Sequence, residues 1–209
     1  MTMTMTMTKT TSTGIMRKIL IIITLLISTI YVHAQKQEWY QIGFKIGTQF
    51  PLVRDYSDVD YLSSTRTVHF GGCFRAGKYV FGEIGFGYQY YKNRFDVTLP
   101  DGTILEDLVE NRYLVIPIKA VGDVKISKKI SFMPQVGISY QPLIKVTDNY
   151  LGYSKDNIEK HWVLLTTGFD MRFGFITVGV DYRYSFQKFF QNKEGKHPQF
   201  IGISAGVIF

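Results

Sequence analysis

From Gln35 to the C-terminus the chain alternates polar and apolar residues with a period of two, in eight successive segments. The segments lie near 39–50, 67–78, 79–91, 112–122, 130–141, 161–173, 175–186 and 199–209. In the first, Gln41, Gly43, Lys45, Gly47 and Gln49 alternate with Ile42, Phe44, Ile46, Thr48 and Phe50. The seventh sets Thr177, Gly179, Asp181, Arg183 and Ser185 against Ile176, Val178, Val180, Tyr182 and Tyr184. A period of two places successive side chains on opposite faces of a strand, so each segment reads as a strand with one wet face and one dry face. The fourth is the least regular, because Leu114-Val115-Ile116-Pro117-Ile118 is apolar throughout.

The connections alternate in length. Long loops are expected at 51–66, 92–111, 142–160 and 187–198, and short turns at 78–79, 123–129 and 174–175. An even number of antiparallel strands, with short turns at one rim and long loops at the other, is the build of an outer-membrane barrel. Twelve residues at about 3.3 Å each, tilted ~45°, rise roughly 28 Å, close to the hydrocarbon thickness. The expected fold is an all-β, eight-stranded antiparallel up-and-down transmembrane barrel.

Alternation alone does not say which face points inward, since a soluble ligand-binding barrel would bury the apolar face. Two features decide it. The apolar face carries so many Phe, Tyr, Ile, Val and Leu side chains that an eight-strand interior has no room for them. Glycine, in contrast, gathers on the polar face, at Gly43, Gly47, Gly71, Gly87, Gly179 and Gly202 among others. There it makes room for crowded polar groups, whereas on an outer surface it would only weaken the strands. The polar face is therefore read as the lumen. Aromatics at segment ends (Trp39, Tyr40, Phe50, Tyr79, Tyr113, Tyr140, Trp162, Phe173, Tyr184 and Phe186) are expected to form the interfacial girdles.

Ahead of the barrel stand two further segments. Residues 16–34 read as a signal peptide: Arg17 and Lys18 are basic, 19–30 are apolar, and Val32-His33-Ala34 forms a small-residue cleavage site before Gln35. The apolar run is shorter than the ~20 residues of a membrane-spanning helix. A helix near 17–32 and a mature chain beginning at Gln35 are expected. Residues 1–15 are a low-complexity extension with no foldable pattern, and Met16 reads as the translation start. Of the formal charge of +7, Lys9, Arg17 and Lys18 supply three, which leaves the barrel at +4. Those charges form no basic patch, so nucleic acid is not an expected partner. Cys73 is the only cysteine, which excludes an intramolecular disulfide and a cysteine-based zinc site.

The signal, the Tyr113-Leu114-Val115-Ile116-Pro117-Ile118-Lys119 stretch opening the fourth segment and the C-terminal alternation ending on Phe209 together resemble the PorT-like outer-membrane barrels of Bacteroidetes. The resemblance covers roughly 35–209. It implies that Phe209 is the signal read by the barrel-assembly machinery, and that outer-membrane lipid surrounds the protein. It also points to envelope secretion-complex proteins as partners, because the founding member is implicated in type IX secretion and gliding. Membership of a fold does not by itself assign a role.

Some outer-membrane barrels are enzymes, and these need a Ser or Asp served by a His. His69, His161 and His197 read instead as rim or loop residues, without a serine in the spacing that lipid A deacylases use. Asp55, Asp58 and Asp60 lack the glycine and distal glutamate of a calcium loop, so they read as a solvated acidic stretch. Phe189-Phe190 reads as part of the upper girdle, with a partner or lipid contact as the other reading. No catalytic residue, cofactor or metal is expected. A lipid-modifying hydrolase and a narrow ligand-binding or permeability barrel stay as alternatives.

The lumenal charges are Lys45, Arg75, Glu83, Lys119, Asp170, Arg172, Asp181 and Arg183. A turn centred on Tyr79 places Arg75 opposite Glu83, Cys73 opposite Gly85 and His69 opposite Gln89. A two-residue turn at Gly174-Phe175 places Asp170 opposite Gly179 and Gly168 opposite Asp181. Arg75 and Glu83 are thus expected to form an interior ion pair, and Asp170, Arg172, Asp181 and Arg183 a second cluster. Pro117 removes one ladder hydrogen bond and is expected to mark a bulge.

Overall fold

The alternating segments fold into strands β1 (Tyr40–Pro51), β2 (Tyr61–Gly77), β3 (Val80–Thr98), β4 (Ile104–Gly122), β5 (Val124–Lys125), β6 (Ile130–Val146), β7 (His161–Phe173), β8 (Ile176–Ser185) and β9 (Gln199–Ile208). The structure is a computed structural model that describes residues 39–52, 61–98, 102–147, 149–150, 152–191 and 196–209, with backbone alone at 61–66, 95–98 and 104–107. The expected signal helix, the Ala34–Gln35 cleavage site and Asp55, Asp58 and Asp60 lie outside the described residues.

Every strand pairs antiparallel with its neighbours, in the order β4-β3-β2-β1-β9-β8-β7-β6, and β4 pairs β6 to close the ring. β5 only prolongs the connection between β4 and β6 by two residue pairs. The result is a closed eight-stranded barrel, and closure leaves no edge within it. Gly174 lies at φ +65°, in the left-handed region that the two-residue turn between β7 and β8 requires.

The outer face is apolar and open: Phe44, Ile46, Phe70, Ile84, Phe86, Ile118, Val136 and Ile203 all point away from the barrel and are exposed. The inner face holds Arg75, Glu83, Gln89, Gln135, Asp170 and Asp181, all buried. That arrangement inverts a soluble protein, and it is stable only where hydrocarbon surrounds the barrel. An even-stranded antiparallel barrel with this apolar belt is an integral protein of the Gram-negative outer membrane.

Strand lengths depart from expectation at the long-loop rim. β3 and β4 each run for 19 residues and stay paired from Val80↔Gly122 to Thr98↔Ile104. The expected loop 92–111 is therefore mostly ladder, and the connection shrinks to 99–103. β2 likewise starts at Tyr61 and β6 continues to Val146, inside the expected loops 51–66 and 142–160. Here the outward side chains Lys92, Arg94 and Glu110 are polar and the buried inward ones include Asn93 and Asn111, so backbone pairing continues without the polar–apolar contrast that marks a strand in sequence. Pro117 also differs from expectation. It pairs in register with Ser139, and the β4–β6 irregularity falls between Arg112 and Tyr113. The β3–β4 register is the same on both sides of Pro117, from Gly87↔Val115 to Ile84↔Ile118. The proline thus omits a ladder bond without inserting a residue.

Candidate functional site

Among the described residues, chemistry-bearing side chains converge in the lumen, and the strand register determines which of them meet. Arg75 on β2 lies opposite Glu83 on β3, and its Nε donates to Glu83 Oε2 at 2.6 Å. Lys119 on β4 approaches Glu83 Oε1 at 3.4 Å and donates to Gln135 Oε1 on β6 at 3.1 Å. Gln135 in turn donates to Asp170 Oδ1 on β7 at 3.3 Å. Asp170 accepts from Arg75 Nη2 at 3.3 Å and also from Lys45 on β1. Six strands are thus tied together by one network that crosses the barrel, and both of its carboxylates meet at least two donors. Charges held away from water need such pairing.

The expected second cluster is not one unit. Asp170 belongs to the Arg75 network, because β7 faces β2 and β1 across the narrow lumen. Arg172 turns toward the short-turn rim, where its Nη2 donates to Asp123 Oδ2 and Ser131 Oγ, both at 3.1 Å. Asp181 and Arg183 remain together on β8, with Arg183 Nε donating to Asp181 Oδ2 at 2.6 Å. Asp170 does lie opposite Gly179, and Asp181 opposite Gly168, as the turn position implies. Contacts across the lumen depend on barrel closure, which pairwise register does not describe.

Glycine makes this crowding possible. A Cβ added to Gly202 on β9 would sit 2.9 Å from both carboxylate oxygens of Asp181. One added to Gly206 would sit 2.8 Å from Lys45 Cγ.

Above the ionic layer, toward the long loops, the lumen turns aromatic. Tyr113 stacks on Trp162 with centroids 4.9 Å apart, and Tyr91 meets them edge-on at 5.4 and 5.5 Å. Leu164, Phe200, Val109 and Ile158 complete a buried plug. Tyr113 and Trp162 correct the girdle expectation, since both are buried inside. A position near a strand end suggests a girdle, but their alternation parity is that of Lys119 and Asp170 and is the better guide. Trp39, Tyr40, Phe50, Tyr79, Tyr140, Phe173 and Phe186 do lie exposed at the rims. Phe189 also departs from the girdle reading: it is buried against Trp162 at 5.8 Å, with Phe190 packed beside it. The last loop is held there by Glu159 N–H donating to the Phe189 carbonyl and Gln191 N–H to the Asn157 carbonyl, both at 3.0 Å. At the opposite rim a smaller apolar layer of Phe81, Val121 and Met133 closes the lumen.

The histidines occupy separate places. His161 is exposed and its Nδ1 lies 2.7 Å from the Tyr140 hydroxyl. His197 Nδ1 lies 3.1 Å from the Ser185 carbonyl, and the ring stacks on Tyr184. His69 faces the lumen with Nδ1 unpartnered. Among the described residues no three of His, Cys, Asp and Glu gather as a metal site. Phe209 follows β9.

No family model matches the chain. No curated protein matches it either. Among solved structures it is similar to the N-terminal β-barrel domain of Pseudomonas aeruginosa OprF, at 10% identity over 81% of this chain and 97% of that one, with a TM-score of 0.43. It is similar also to the translocator domain of the autotransporter NalP from Neisseria meningitidis, at 8% identity, 93% and 96% coverage and a TM-score of 0.44. A third is Ail, the attachment invasion locus protein of Yersinia pestis, at 11% identity, 82% and 100% coverage and a TM-score of 0.39. These are likenesses of architecture, and nothing about role is taken from them.

Proposed function

We propose that the protein is a non-enzymatic outer-membrane barrel that works through its extracellular rim, as an accessory of envelope secretion or assembly. The observation that carries this reading is the height of β3 and β4, which stay paired to Thr98↔Ile104 while β8 and β9 are only 10 residues long. Among the described residues β2, β3 and β4 rise above the other strands as a three-stranded blade at the long-loop rim. The lumen favours the same reading, since a side-chain-filled interior with apolar layers at both ends offers no aqueous path. The PorT-like Tyr113–Lys119 stretch directs the proposal toward secretion rather than adhesion.

The test replaces 92–111 with a short turn and compares affinity purifications of the two proteins from native envelopes. Envelope proteins that accompany the full chain and are lost from the shortened one, while the barrel still folds, support the rim as the working part. An unchanged set of companions overturns it. Steady conductance in planar bilayers would instead favour a permeability barrel. Orientation is checked with single cysteines at Asp101 and Lys128 in a Cys73→Ser background. An impermeant maleimide applied to whole cells should label position 101 and spare position 128.

A further inference from the structure

A cavity of about 70 Å³ opens among the residues of the ionic layer, walled by Lys45, Lys119, Arg183, Glu83, Asp181 and Thr166 among others, and it reaches the barrel wall beside Phe70 and Phe86. We propose that it is a binding site for a small inorganic monoanion of the chloride class.

Three observations converge on that ligand. The first is charge. Among the described residues, the middle of the lumen holds four cations, Lys45, Arg75, Lys119 and Arg183, against three carboxylates, Glu83, Asp170 and Asp181. One positive charge is left over in a compartment surrounded by hydrocarbon, where an unbalanced ion is strongly unfavourable. A protonated His69 would only add to the surplus.

The second is the state of the wall. Both carboxylates that line the cavity are already engaged, Glu83 by Arg75 at 2.6 Å and Asp181 by Arg183 at 2.6 Å. Thr166 is 1% exposed, its Oγ1 has no hydrogen-bond partner, and it lines the cavity. A buried hydroxyl without a partner signals a missing acceptor or a water. Ser204 adds a second hydroxyl to the same wall.

The third is size. One water needs roughly 10–15 Å³ of such space, so the cavity has room for a monatomic anion together with several waters. Water alone satisfies Thr166 and leaves the charge surplus standing, whereas a monoanion answers both. The surplus is a single charge, so a monoanion rather than a multiply charged oxyanion balances it.

The experiment uses the full barrel refolded in detergent, with urea midpoints measured in sodium gluconate and with gluconate replaced by chloride or bromide at constant ionic strength. A ligand that binds only the folded state raises the midpoint as its concentration rises. The halides are expected to raise it for the native protein and for Thr177→Val, whose buried hydroxyl lies outside the cavity. Thr166→Val, close in volume, should lose most of the halide dependence. Crystals grown in bromide should show an anomalous peak between Lys119 and Thr166. A midpoint indifferent to halide, with a cavity that holds only water, overturns the site and means that one lysine of the layer is uncharged. A peak that persists unchanged in Thr166→Val overturns the role given to that hydroxyl.

Discussion

The ionic layer and the aromatic plug are built from the same inward-facing parity of the same strands, yet their chemistries are opposite. Lys119 and Tyr113 both face the lumen from β4, and Asp170 and Trp162 both face it from β7. In the ionic layer each group is held by named partners, so its stability is a matter of pairing. In the plug the rings are held chiefly by shape and burial, and Tyr91 Oη also donates to Gln141 Oε1 at 3.4 Å. Height along the strand separates the two. In mid-membrane the apolar side chains are drawn outward to lipid, and polar groups are left to satisfy one another inside. Near the rim the outer face meets headgroups and water, and the apolar rings are better buried in the lumen. Orientation and chemistry are thus separate decisions, one made by parity and the other by depth.

Breaking a pair should show this most strongly. Arg75→Gln or Glu83→Gln strands a buried charge and is expected to destabilise by roughly 3–5 kcal/mol, read from urea midpoints in detergent. The double variant should lose less than the sum of the two. Strict additivity would mean that the side chains do not interact in solution.

Leu164→Ala removes buried surface from the plug and should cost about 2–4 kcal/mol. Combined with Arg75→Gln its effect should add, because the two layers share no partner. A coupling energy above about 0.5 kcal/mol would show that plug and ionic layer act as one unit.

Gly202→Ala sharpens the boundary between close approach and charge. The new methyl meets both oxygens of Asp181, and a loss of about 1–3 kcal/mol is expected from overpacking. Gly102→Ala meets nothing within 4 Å, but Gly102 sits at φ +83°, so any loss there comes from backbone strain alone. The comparison of the two midpoints separates crowding from conformation.

The smallest effect belongs to the loop surface. Lys160 and Asp156 form an exposed pair at 2.9 Å, and Lys160→Ala should leave the midpoint where it is. A clear loss would show that the loop over the plug is held by charge rather than by Phe189.

Much of this molecule is legible in one dimension. The strict alternation of 41–50 or 176–185 is enough to predict a strand, its two faces and, with glycine on the polar side, the side that faces the lumen. Register follows from turn position, which is why Arg75↔Glu83 and Gly168↔Asp181 can be read from residue spacing alone. The stretch at 113–119 adds a family resemblance in sequence but no geometry.

Alternation and turn position are local properties, and they run out where contacts become nonlocal. That Asp170 joins Arg75 and Lys45, while Arg172 leaves for Asp123, depends on which strands face each other across a closed ring. The burial of Phe189 depends on a loop folding over the mouth that β7 and β9 happen to form. The extra ladder of β3 and β4 is hard to see in an amphipathic pattern, because its outward Lys92, Arg94 and Glu110 are polar and its buried inward positions include Asn93 and Asn111. The sequence determined which side chains face inward; only closure of the barrel decided which of them meet, since a lumen of this width brings distant strands within a hydrogen bond of each other.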